Sequence, residues 1–355
     1  MDRDTVGAYE RRGLDWAARR RPVRQAHARN FAKRVAEGEL RVDLGCGAGR
    51  YLGDLGRPAV GLDAANAMLR RCRQDFPSAV LVQGDLEALP FGRTTFGGAW
   101  ANMSYVHLPS VRVPLALADL HRILRVGAPI DVQVLHGDYE GDALPADDVG
   151  GRFFSSWRPD ALLDVFAGAG FDVQACQVED EVVRVRGERL RTLPDTVGPG
   201  MTLLLVGLNP SIYAADAGVG FARPGNRFWP AALRAGIVSR DRDAFHALHH
   251  HAVGMTDLVK RPSTGAAELT RDEYASGMHR VERLARWLEP RAVCFVGLAG
   301  FRAAVDRRAV PGRQPSLLAG RPVYVMPSTS GANASSDLDA LVGHLREAAA
   351  LASRA

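Results

Sequence analysis

The sequence predicts an α/β protein with two domains. Its 355 residues exceed the size that one hydrophobic core usually organises. Apolar residues make up 46% of the chain and charged residues 24%, which is typical of a folded protein. Short apolar runs alternate with helical patterns in both halves, and a polar stretch rich in turn residues separates the halves. We therefore predict domains at residues 1–186 and 201–355, joined by a linker at 187–200.

The first half is predicted to form a parallel sheet with crossover helices. Its strand candidates are the apolar runs at 41–47, 58–63, 79–85, 96–103, 129–137 and 171–178. Helical patterns such as Asn66–Gln74 and Leu115–Leu124 separate these runs. Strands that alternate with helices are typical of a parallel sheet, because each connection must cross back to the same edge.

A basic segment precedes the first strand. Residues 11–34 read as an amphipathic helix with Trp16, Val23, Phe31 and Val35 available to pack. Two interpretations of its arginines stay open, a solvated face that covers the first domain and a nucleic-acid patch. The net charge of +5 suits a polyanionic partner without requiring one.

The four cysteines and the apolar runs bear on the cellular compartment. Cys46, Cys72, Cys176 and Cys294 show no CxxC or metal-ligand spacing, so neither disulfides nor a metal site is expected. The N-terminal residues lack the apolar core of a signal peptide, and no apolar run approaches the length of a membrane span. We expect a cytoplasmic protein that does not bind a membrane.

The first chemical motif joins a strand to a glycine-rich turn. It reads Val-Asp-Leu-Gly-Cys-Gly-Ala-Gly at residues 42–49. Glycines there let the backbone approach a ligand closely and present amides at the start of a helix. Arg50 follows where a dinucleotide fingerprint places a small residue, so a nicotinamide cofactor fits poorly.

With two further acidic elements, this motif resembles the class I methyltransferases and their Rossmann-like sheet. Their opening motif is DxGxGxG, and an acidic residue closes the second strand, as Asp63 does here. The resemblance implies S-adenosylmethionine as cofactor, with Asp63 on the ribose hydroxyls and Asp85 against the adenine amino group. The cofactor-binding residues that it implies are Asp43, Gly45, Cys46, Gly47, Gly49, Asp63, Asp85 and Leu86.

The sequence does not identify the methyl acceptor. No Asn-Pro-Pro-Tyr motif follows the fourth strand, where residues 101–105 read Ala-Asn-Met-Ser-Tyr, and no Pro-Cys nucleophile is present. Methylation of DNA bases therefore loses support. Tyr105 and His107 are candidates to line an acceptor pocket, with His107 a candidate base, and a packing role for both stays equally open.

The second half presents two polar loops at the ends of apolar strands. The run 201–206 leads into Gly-Leu-Asn-Pro-Ser at 207–211, followed by Phe221 and a segment that enters a helix. The run 321–325 leads into Met-Pro-Ser-Thr-Ser-Gly-Ala-Asn at 326–333. Open α/β sheets bind ligands at these strand ends.

These loops resemble the mismatch-specific branch of the uracil-DNA glycosylase superfamily, which includes thymine-DNA glycosylase and has a three-layer α/β/α fold. The likeness spans residues 201 to about 350 and includes the segments 254–262 and 292–297. It implies that Asn209 holds the attacking water, that Phe221 stacks on the flipped base, and that the later loop binds phosphates. The implied base-binding residues are Gly207, Ser211, Phe221 and Asn226, and the implied DNA-binding residues are Ser328, Thr329, Ser330, Gly331, Ala332 and Asn333.

Two residues depart from the family pattern. Ala332 stands where the family has a bulky residue that fills the space of the flipped base, so we expect weak preference for double-stranded mismatches. Asp216 lies between Asn209 and Phe221, in a predicted loop, where a carboxylate is a candidate general base. A solvated turn aspartate is the structural alternative.

Together these features predict a base-excision glycosylase fused to a methyltransferase of unknown acceptor. No lysine nucleophile stands near the loops, so the glycosylase is expected to be monofunctional and to act without a metal. The expected partner is DNA that carries deaminated or mispaired bases.

Three consecutive histidines at residues 249–251 are interpreted as a surface cluster, because neighbouring helical positions point apart. Two alternatives stay open: a methyltransferase of small molecules or nucleosides whose second half only binds nucleic acid, and a pair of binding modules.

Overall fold

The computed structural model describes residues 2–19, 23–142, 144, 147, 149–333 and 336–353. Contacts divide the chain into two compact units, Met1–Ala167 with Phe171–Leu190 and Gly168–Gly170 with Arg191–Ala355. Both units are α/β, which confirms the predicted fold class. Of the predicted linker at 187–200, residues through Arg189 continue a strand of the first unit, and Thr196 pairs with Met255 in the second.

The first unit contains helices on both sides of a mostly parallel sheet. The helices are α1 (Arg3–Arg19), α2 (Gln25–Ala32), α3 (Asn66–Asp75), α4 (Val113–Ile123) and α5 (Pro159–Gly168). The strands are β1 (Arg41–Leu44), β2 (Ala59–Asp63), β3 (Val80–Gln83), β4 (Gly98–Asn102), β5 (Pro129–His136), β6 (Glu140–Gly141), β7 (Phe154–Trp157), β8 (Phe171–Glu179) and β9 (Val182–Arg189). The path runs β3-β2-β1-β4-β5-β7-β6, and β9 and β8 extend it from β5.

The end of this sheet is antiparallel, which the prediction of a parallel sheet did not include. β9 pairs antiparallel with β5, and β8 pairs antiparallel with β9. Asp180 and Glu181 connect β8 to β9 with φ angles of 49° and 59°. Two consecutive residues with positive φ are the mark of a tight hairpin turn, which leaves no room for a crossover helix.

The predicted single helix at residues 11–34 is wrong. The basic segment belongs to two helices, α1 and α2, and residues 20–22 lie outside the described ranges. Phe31 and Val35 are buried as expected, whereas Val23 is 74% exposed. Val23 is exposed because it falls between the two helices and not on the apolar face of one.

The second unit contains a five-stranded sheet. Its strands are β10 (Leu203–Gly207), β11 (Val253–Asp257), β12 (Ala292–Val296), β13 (Gly312–Leu318) and β14 (Arg321–Met326). Its helices are α6 (Ile212–Ala217), α7 (Phe228–Ala235), α8 (Ala244–His251), α9 (Arg271–Leu288), α10 (Leu298–Ala304) and α11 (Leu338–Ser353). The order is β11-β10-β12-β14-β13, with β13 antiparallel at the edge.

Apolar side chains on both faces of the parallel strands explain this layered arrangement. β10 and β12 are buried at every position, which is typical of parallel strands covered on both faces. Residues of α7, α8 and α11 join these strands in one buried cluster. Within the described ranges, no helix combines the length and the hydropathy that a membrane crossing requires.

Candidate functional sites

In the first unit, the glycine motif forms a tight turn at the end of β1. Gly45, Gly47 and Gly49 have φ angles of 73°, 55° and 83°, a region that favours glycine. A Cβ on Gly45 would collide with the side chain of Ser104. The amides of Gly45 and Cys46 both donate to the Leu62 carbonyl, at 2.8 and 2.9 Å. The turn therefore packs closely over the ends of β1 and β2.

Asp63 connects this turn to the next helix. Its Oδ2 accepts from the Gly47 amide at 2.8 Å, and its Oδ1 accepts from the Ala65 amide at 2.9 Å. Desolvation raises the pKa of Asp63 to about 6, against the effect of these hydrogen bonds. Asp63 thus fixes the glycine turn from β2 and keeps acceptor capacity for a ligand.

Five of the eight predicted cofactor residues line one cavity of about 860 Å³, a volume typical of ligand sites. They are Gly45, Cys46, Gly47, Asp63 and Leu86. Asp43, Gly49 and Asp85 are not part of this wall. The Asp85 carboxylate, expected against adenine, accepts from the Glu87 amide at 3.0 Å in a local turn.

Asp43 lies beneath the glycine turn in β1. Burial, with the nearby Asp63 charge, raises the pKa of Asp43 well above its ordinary value. Among the described residues, none hydrogen-bonds to its Oδ2. A buried polar atom without a partner is costly, so Asp43 is suited to accept a hydrogen bond from a bound ligand or water.

The N-terminal helix α1 supplies one wall of the same cavity. Tyr9 and Trp16 of α1 line it together with His107, Arg152 and Phe154. The Arg152 guanidinium lies 5.2, 5.6 and 5.1 Å from the ring centres of Tyr9, Trp16 and Phe154. Cation–π contacts of this geometry place a positive charge against an aromatic surface.

The predicted candidate base His107 is held in one tautomer. Its Nδ1 lies 2.8 Å from the Phe153 carbonyl, which can only accept, so Nδ1 carries the proton. Its Nε2 therefore accepts from the Tyr9 hydroxyl at 2.9 Å, and Arg152 donates to that hydroxyl at 2.9 Å. Burial lowers the pKa of His107 to about 4, which keeps the imidazole neutral at pH 7. The lone pair of Nε2 is therefore engaged by the Tyr9 hydroxyl.

Tyr105, the other candidate for the acceptor pocket, lies below the surface. It is 1% exposed, and burial raises the pKa of its hydroxyl. It is not part of the cavity wall, whereas His107 is. The structure therefore separates two residues that stand two positions apart in the sequence.

In the second unit, Asn209 follows β10 and is held by the segment after β11. Its Nδ2 donates to the Arg261 carbonyl at 3.0 Å and to Ser263 Oγ at 2.8 Å. Because a carbonyl only accepts, the amide orientation is fixed and Oδ1 is the remaining acceptor. Ser211, two residues later, accepts from the Ala214 amide and so begins α6 as its N-cap.

Phe221, predicted to stack on the base, is held by the aromatic residues at the start of α7. It has a φ of 57° and stacks on Phe228, with ring centres 4.1 Å apart and planes 24° apart. The Trp229 Nε1 donates to the Gly220 carbonyl at 2.8 Å. Asn226, predicted to bind the base, accepts through Oδ1 from the Phe228 amide at 2.9 Å in a local turn just before α7. These contacts fix the aromatic ring from behind.

The later polar loop is attached to this aromatic segment by Arg227. The Arg227 amide donates to the Thr329 carbonyl at 2.9 Å, and its guanidinium donates to the carbonyls of Ser330 and Asn333 at 3.2 and 2.6 Å. A Cβ on Gly331 would lie 2.8 Å from the Gly225 carbonyl. Arg227 therefore positions the loop and does not extend toward a phosphate.

Hydrogen bonds within the loop complete its shape. The Asn333 Nδ2 donates to the Ser328 carbonyl at 2.7 Å, and the Ser330 amide donates to Ser328 Oγ at 3.3 Å. Thr329 is 2% exposed, whereas Gly331 and Ala332 are exposed at the tip. Ser328 and Ser330 thus occupy the half-buried rim of the loop.

Both polar loops lie at one edge of the sheet. β10 and β14 each pair in parallel with β12, so the carboxyl ends of all three strands coincide. A Cβ on Gly297, at the end of β12, would lie 3.7 Å from Ser328 Cβ. The chain leaves β10 toward β11 and later returns to β12 on the other side, which makes a topological switch point. Asn209 follows β10 at this switch point, where such sheets bind ligands, and Ser328 follows β14 on the other side of β12.

Asp216 lies on α6 and not in the predicted loop. Ser211 begins this helix, and Gly218 ends it in the left-handed conformation. Both oxygens of Asp216 accept from Arg191, each at 2.6 Å. The two side chains are 52% and 48% exposed, so the ion pair is open to solvent.

Asp257 is a candidate site residue that the sequence analysis did not single out. It closes β11 and lies opposite Gly207 in the parallel register. A Cβ on Gly207 would collide with Asp257 Oδ1 and would lie 3.4 Å from Phe221 Cζ. The available signal was a carboxylate at the end of a strand, but strand order was needed to bring it beside Gly207.

Two histidines of α8, His246 and His251, contact the hydroxyl of Ser239. The Nε2 atoms of His246 and His251 lie 2.9 and 2.8 Å from Ser239 Oγ. Among the residues that the structure describes, no group of three or more His, Cys, Asp or Glu side chains is placed to hold a metal ion.

Comparison with known proteins matches each half of the chain to a protein family. Residues 42–127 match the family model of a methyltransferase domain, and residues 194–348 match that of the uracil DNA glycosylase superfamily. A S-adenosylmethionine-dependent methyltransferase from Mesorhizobium loti is 18% identical, with 47% of this chain and 97% of that chain covered and a TM-score of 0.40. One from Methanosarcina mazei is 15% identical, with 48% and 100% covered and a TM-score of 0.42. The chain therefore combines a methyltransferase domain with a domain of the uracil DNA glycosylase superfamily.

Proposed function

We propose that residues 201–355 form a monofunctional, mismatch-specific DNA glycosylase of base excision repair. It hydrolyses the N-glycosidic bond of uracil, thymine or another deaminated base in mispaired or single-stranded DNA. We further propose that residues 1–186 transfer the methyl group of S-adenosylmethionine to an acceptor not yet identified. The observation that carries the glycosylase proposal is the position of Asn209 and the Ser328–Asn333 loop on two sides of β12.

The proposed mechanism begins with a base rotated out of DNA. Extrusion costs roughly a few kcal/mol and is easiest at a mispair or in a single strand. Phe221, fixed by Phe228, stacks on the extruded base. The hydroxyls of Ser328 and Ser330 bind the flanking phosphates, and the exposed tip of the loop enters the vacated space.

Bond cleavage then leaves a cationic sugar and a base anion. Asn209 accepts a hydrogen bond from the attacking water through Oδ1, because Arg261 and Ser263 hold its Nδ2. A cationic sugar is a strong electrophile, so positioning the water demands little base strength. The oxygen of water adds to the sugar carbon, its proton passes to Asp216 as the proposed general base, and the base departs with the bonding electron pair.

Lys260 is the lysine closest to the proposed pocket, and its contacts fit a monofunctional enzyme. A lysine nucleophile must attack as a neutral amine. The Lys260 Nζ donates to Asp195 Oδ1 at 2.8 Å, and both side chains are nearly buried. This ion pair holds the Lys260 amine against Asp195, so it is not presented as a nucleophile.

The first unit fits S-adenosylmethionine by two independent observations. The glycine turn lines a cavity together with Asp63 and Leu86, and the buried Asp43 Oδ2 beneath the turn lacks a partner among the described residues. Asp63 is the residue that we expect to hold the ribose hydroxyls, and Leu86 the one that packs on the adenine. The bound cofactor supplies an activated methyl group. Tyr9, His107 and Arg152 also line this cavity, and we place the acceptor beside them.

The free thiols support a reducing compartment for both activities. All four cysteines are unpaired, and Cys46, Cys72 and Cys294 are buried. Disulfides are rare in the cytoplasm because thiols are kept reduced there. We therefore place the protein in the cytoplasm, with DNA and S-adenosylmethionine as partners.

The decisive experiment is cleavage of an oligonucleotide that carries one uracil opposite guanine. Alkali treatment converts each excised site into a strand break, and single-turnover conditions isolate the chemical step. We expect wild type to cleave and Asn209→Ala to be slower by about 100-fold or more, as for loss of a positioned catalytic group. Asn66→Ala, an exposed change in the other unit, is the matched control and should retain wild-type rates. Absence of cleavage by wild type would favour a second half that only binds nucleic acid.

A further inference from the structure

We propose that Asp257 belongs to the base-binding pocket and hydrogen-bonds to the extruded base. This inference rests on the proposed glycosylase function and names a group that contacts the substrate. It assigns the pocket to bases in which a carbonyl stands next to an N–H group, as in uracil, thymine and hypoxanthine.

The position of the carboxylate is the first argument. Gly207 and Asp257 are register partners on neighbouring parallel strands, so both close the same edge of the sheet. Asp257 Oδ1 lies against the space in front of the Gly207 Cα, and Phe221 Cζ borders the same space. The carboxylate therefore faces the ring that is expected to stack on the base, beside the loop that carries Asn209.

The contacts of Asp257 are the second argument. Within the described ranges, no amide or side chain donates a hydrogen bond to its carboxylate. The neighbouring cations are engaged elsewhere: Lys260 and Arg280 bind Asp195 at 2.8 and 2.6 Å. Asp257 nevertheless keeps partial solvent access, so a ligand can reach it. A carboxylate that is largely buried, accessible to a ligand and without a hydrogen-bond donor from the protein is suited to accept a hydrogen bond from a ligand.

Three charged groups act on this carboxylate. Desolvation raises the pKa of Asp257 to about 6, Lys260 and Arg280 oppose the rise, and Asp195 adds to it. Lys260 comes from the segment after β11, Arg280 from α9 and Asp195 from the segment before β10. Asp257 is therefore neutral below about pH 6 and charged above it.

The two forms act differently on a departing base. Neutral Asp257 donates its O–H to a base carbonyl and accepts the adjacent N–H, which stabilises the anion that forms when the glycosidic electron pair moves to the base. Ionised Asp257 only accepts, and its negative charge repels that anion. Cleavage should therefore accelerate as the pH falls through the pKa of Asp257.

The test compares wild type, Asp257→Asn and Asp272→Asn, an exposed aspartate of α9, on a uracil-containing single strand. Under single-turnover conditions with enzyme in excess, wild type should cleave about tenfold faster at pH 5.5 than at pH 7.5, since the neutral fraction changes by at least that factor. Asp272→Asn should match wild type. Asp257→Asn, a neutral isostere, should show a flat profile and exceed wild type at pH 7.5. A flat wild-type profile, or an unchanged dependence in Asp257→Asn, overturns the proposal.

A second measurement separates this proposal from the glycosylase assignment. Binding of free uracil, followed by ligand-observed NMR at both pH values, reports on the pocket without cleavage. Uracil binding that strengthens at pH 5.5 in wild type but not in Asp257→Asn supports the proposal even if no DNA is cleaved. Cleavage without this difference in either assay leaves the glycosylase intact and overturns the role of Asp257.

Discussion

A general base must present a free lone pair to the water that it activates, and Asp216 shows how one partner affects this requirement. Both of its oxygens are bound by Arg191 at the solvent-exposed side of α6. Exposed ion pairs contribute little to stability, typically about 0–1 kcal/mol. Such a pair can open without much cost, so Asp216 stays in our proposal as a catalytic residue that Arg191 restrains.

Substitutions at this pair separate catalysis from surface electrostatics. We expect Asp216→Asn to lower the single-turnover cleavage rate about tenfold or more, because the amide cannot take the proton of the water. Arg191→Gln should leave the rate unchanged or raise it, because it removes the two Arg191 hydrogen bonds from the carboxylate. Equal, small losses in both variants would show that Asp216 only forms a surface ion pair.

Among the elements, the Ser328–Asn333 loop is the one that we propose binds DNA. Arg227 and Gly225 fix its base, while Gly331 and Ala332 remain exposed at the tip. A methyl side chain at this position fills little of the space that a flipped base leaves. Because no bulky side chain fills this space, the extruded state of a duplex is stabilised less. The cleavage rate of a duplex should therefore exceed that of a single strand by little.

A larger side chain at the tip should change strand preference. We expect wild type to cleave uracil in single strands and opposite guanine at comparable rates. Ala332→Arg should raise the duplex rate several-fold relative to the single-strand rate, because the side chain fills the gap in the stack. Parallel cleavage assays on the two substrates test this, with Ala303→Arg, an exposed position of α10, as a charge-matched control. A large duplex preference in wild type would contradict the expectation.

For the whole molecule, each unit carries a complete sheet with its own switch point and its own buried cluster. In the first unit the switch lies between β1 and β4, and in the second between β10 and β12. Phe31, Leu55 and Trp100 belong to a cluster in one unit, and Leu205, Trp229 and Tyr324 to a cluster in the other. Each site is therefore built from residues of one unit.

Hydrogen exchange should show that cofactor binding is confined to the first unit. S-adenosylhomocysteine at 100 times its dissociation constant stabilises the state that binds it by about 2.7 kcal/mol, which slows exchange by up to about 100-fold. We expect this protection in peptides that contain β1 and β2 and none in those that contain β10 and β14. Asp63→Ala should abolish it. Protection in both units, or in neither, would contradict this expectation.

Strands and loop chemistry followed from the sequence because they depend on local patterns. Buried parallel strands read as continuous apolar runs, so β10, β12 and β14 were predictable. The glycine turn at Gly45 and the polar loop at Asn209 follow such strands, and the sheet places strand ends together. The α/β class and the two family resemblances thus needed no coordinates.

Tertiary structure alone decided which side chains meet. Strand order placed Asp257 beside Gly207, helix α1 delivered the Tyr9 hydroxyl to His107, and the chain before β10 supplied Arg191 to Asp216. Each pair joins residues that no local pattern relates, since their separation along the chain is set by intervening elements. The sequence therefore determined the kind of chemistry at each strand end, and the packing of distant segments determined the protonation and partners of the groups that would perform it.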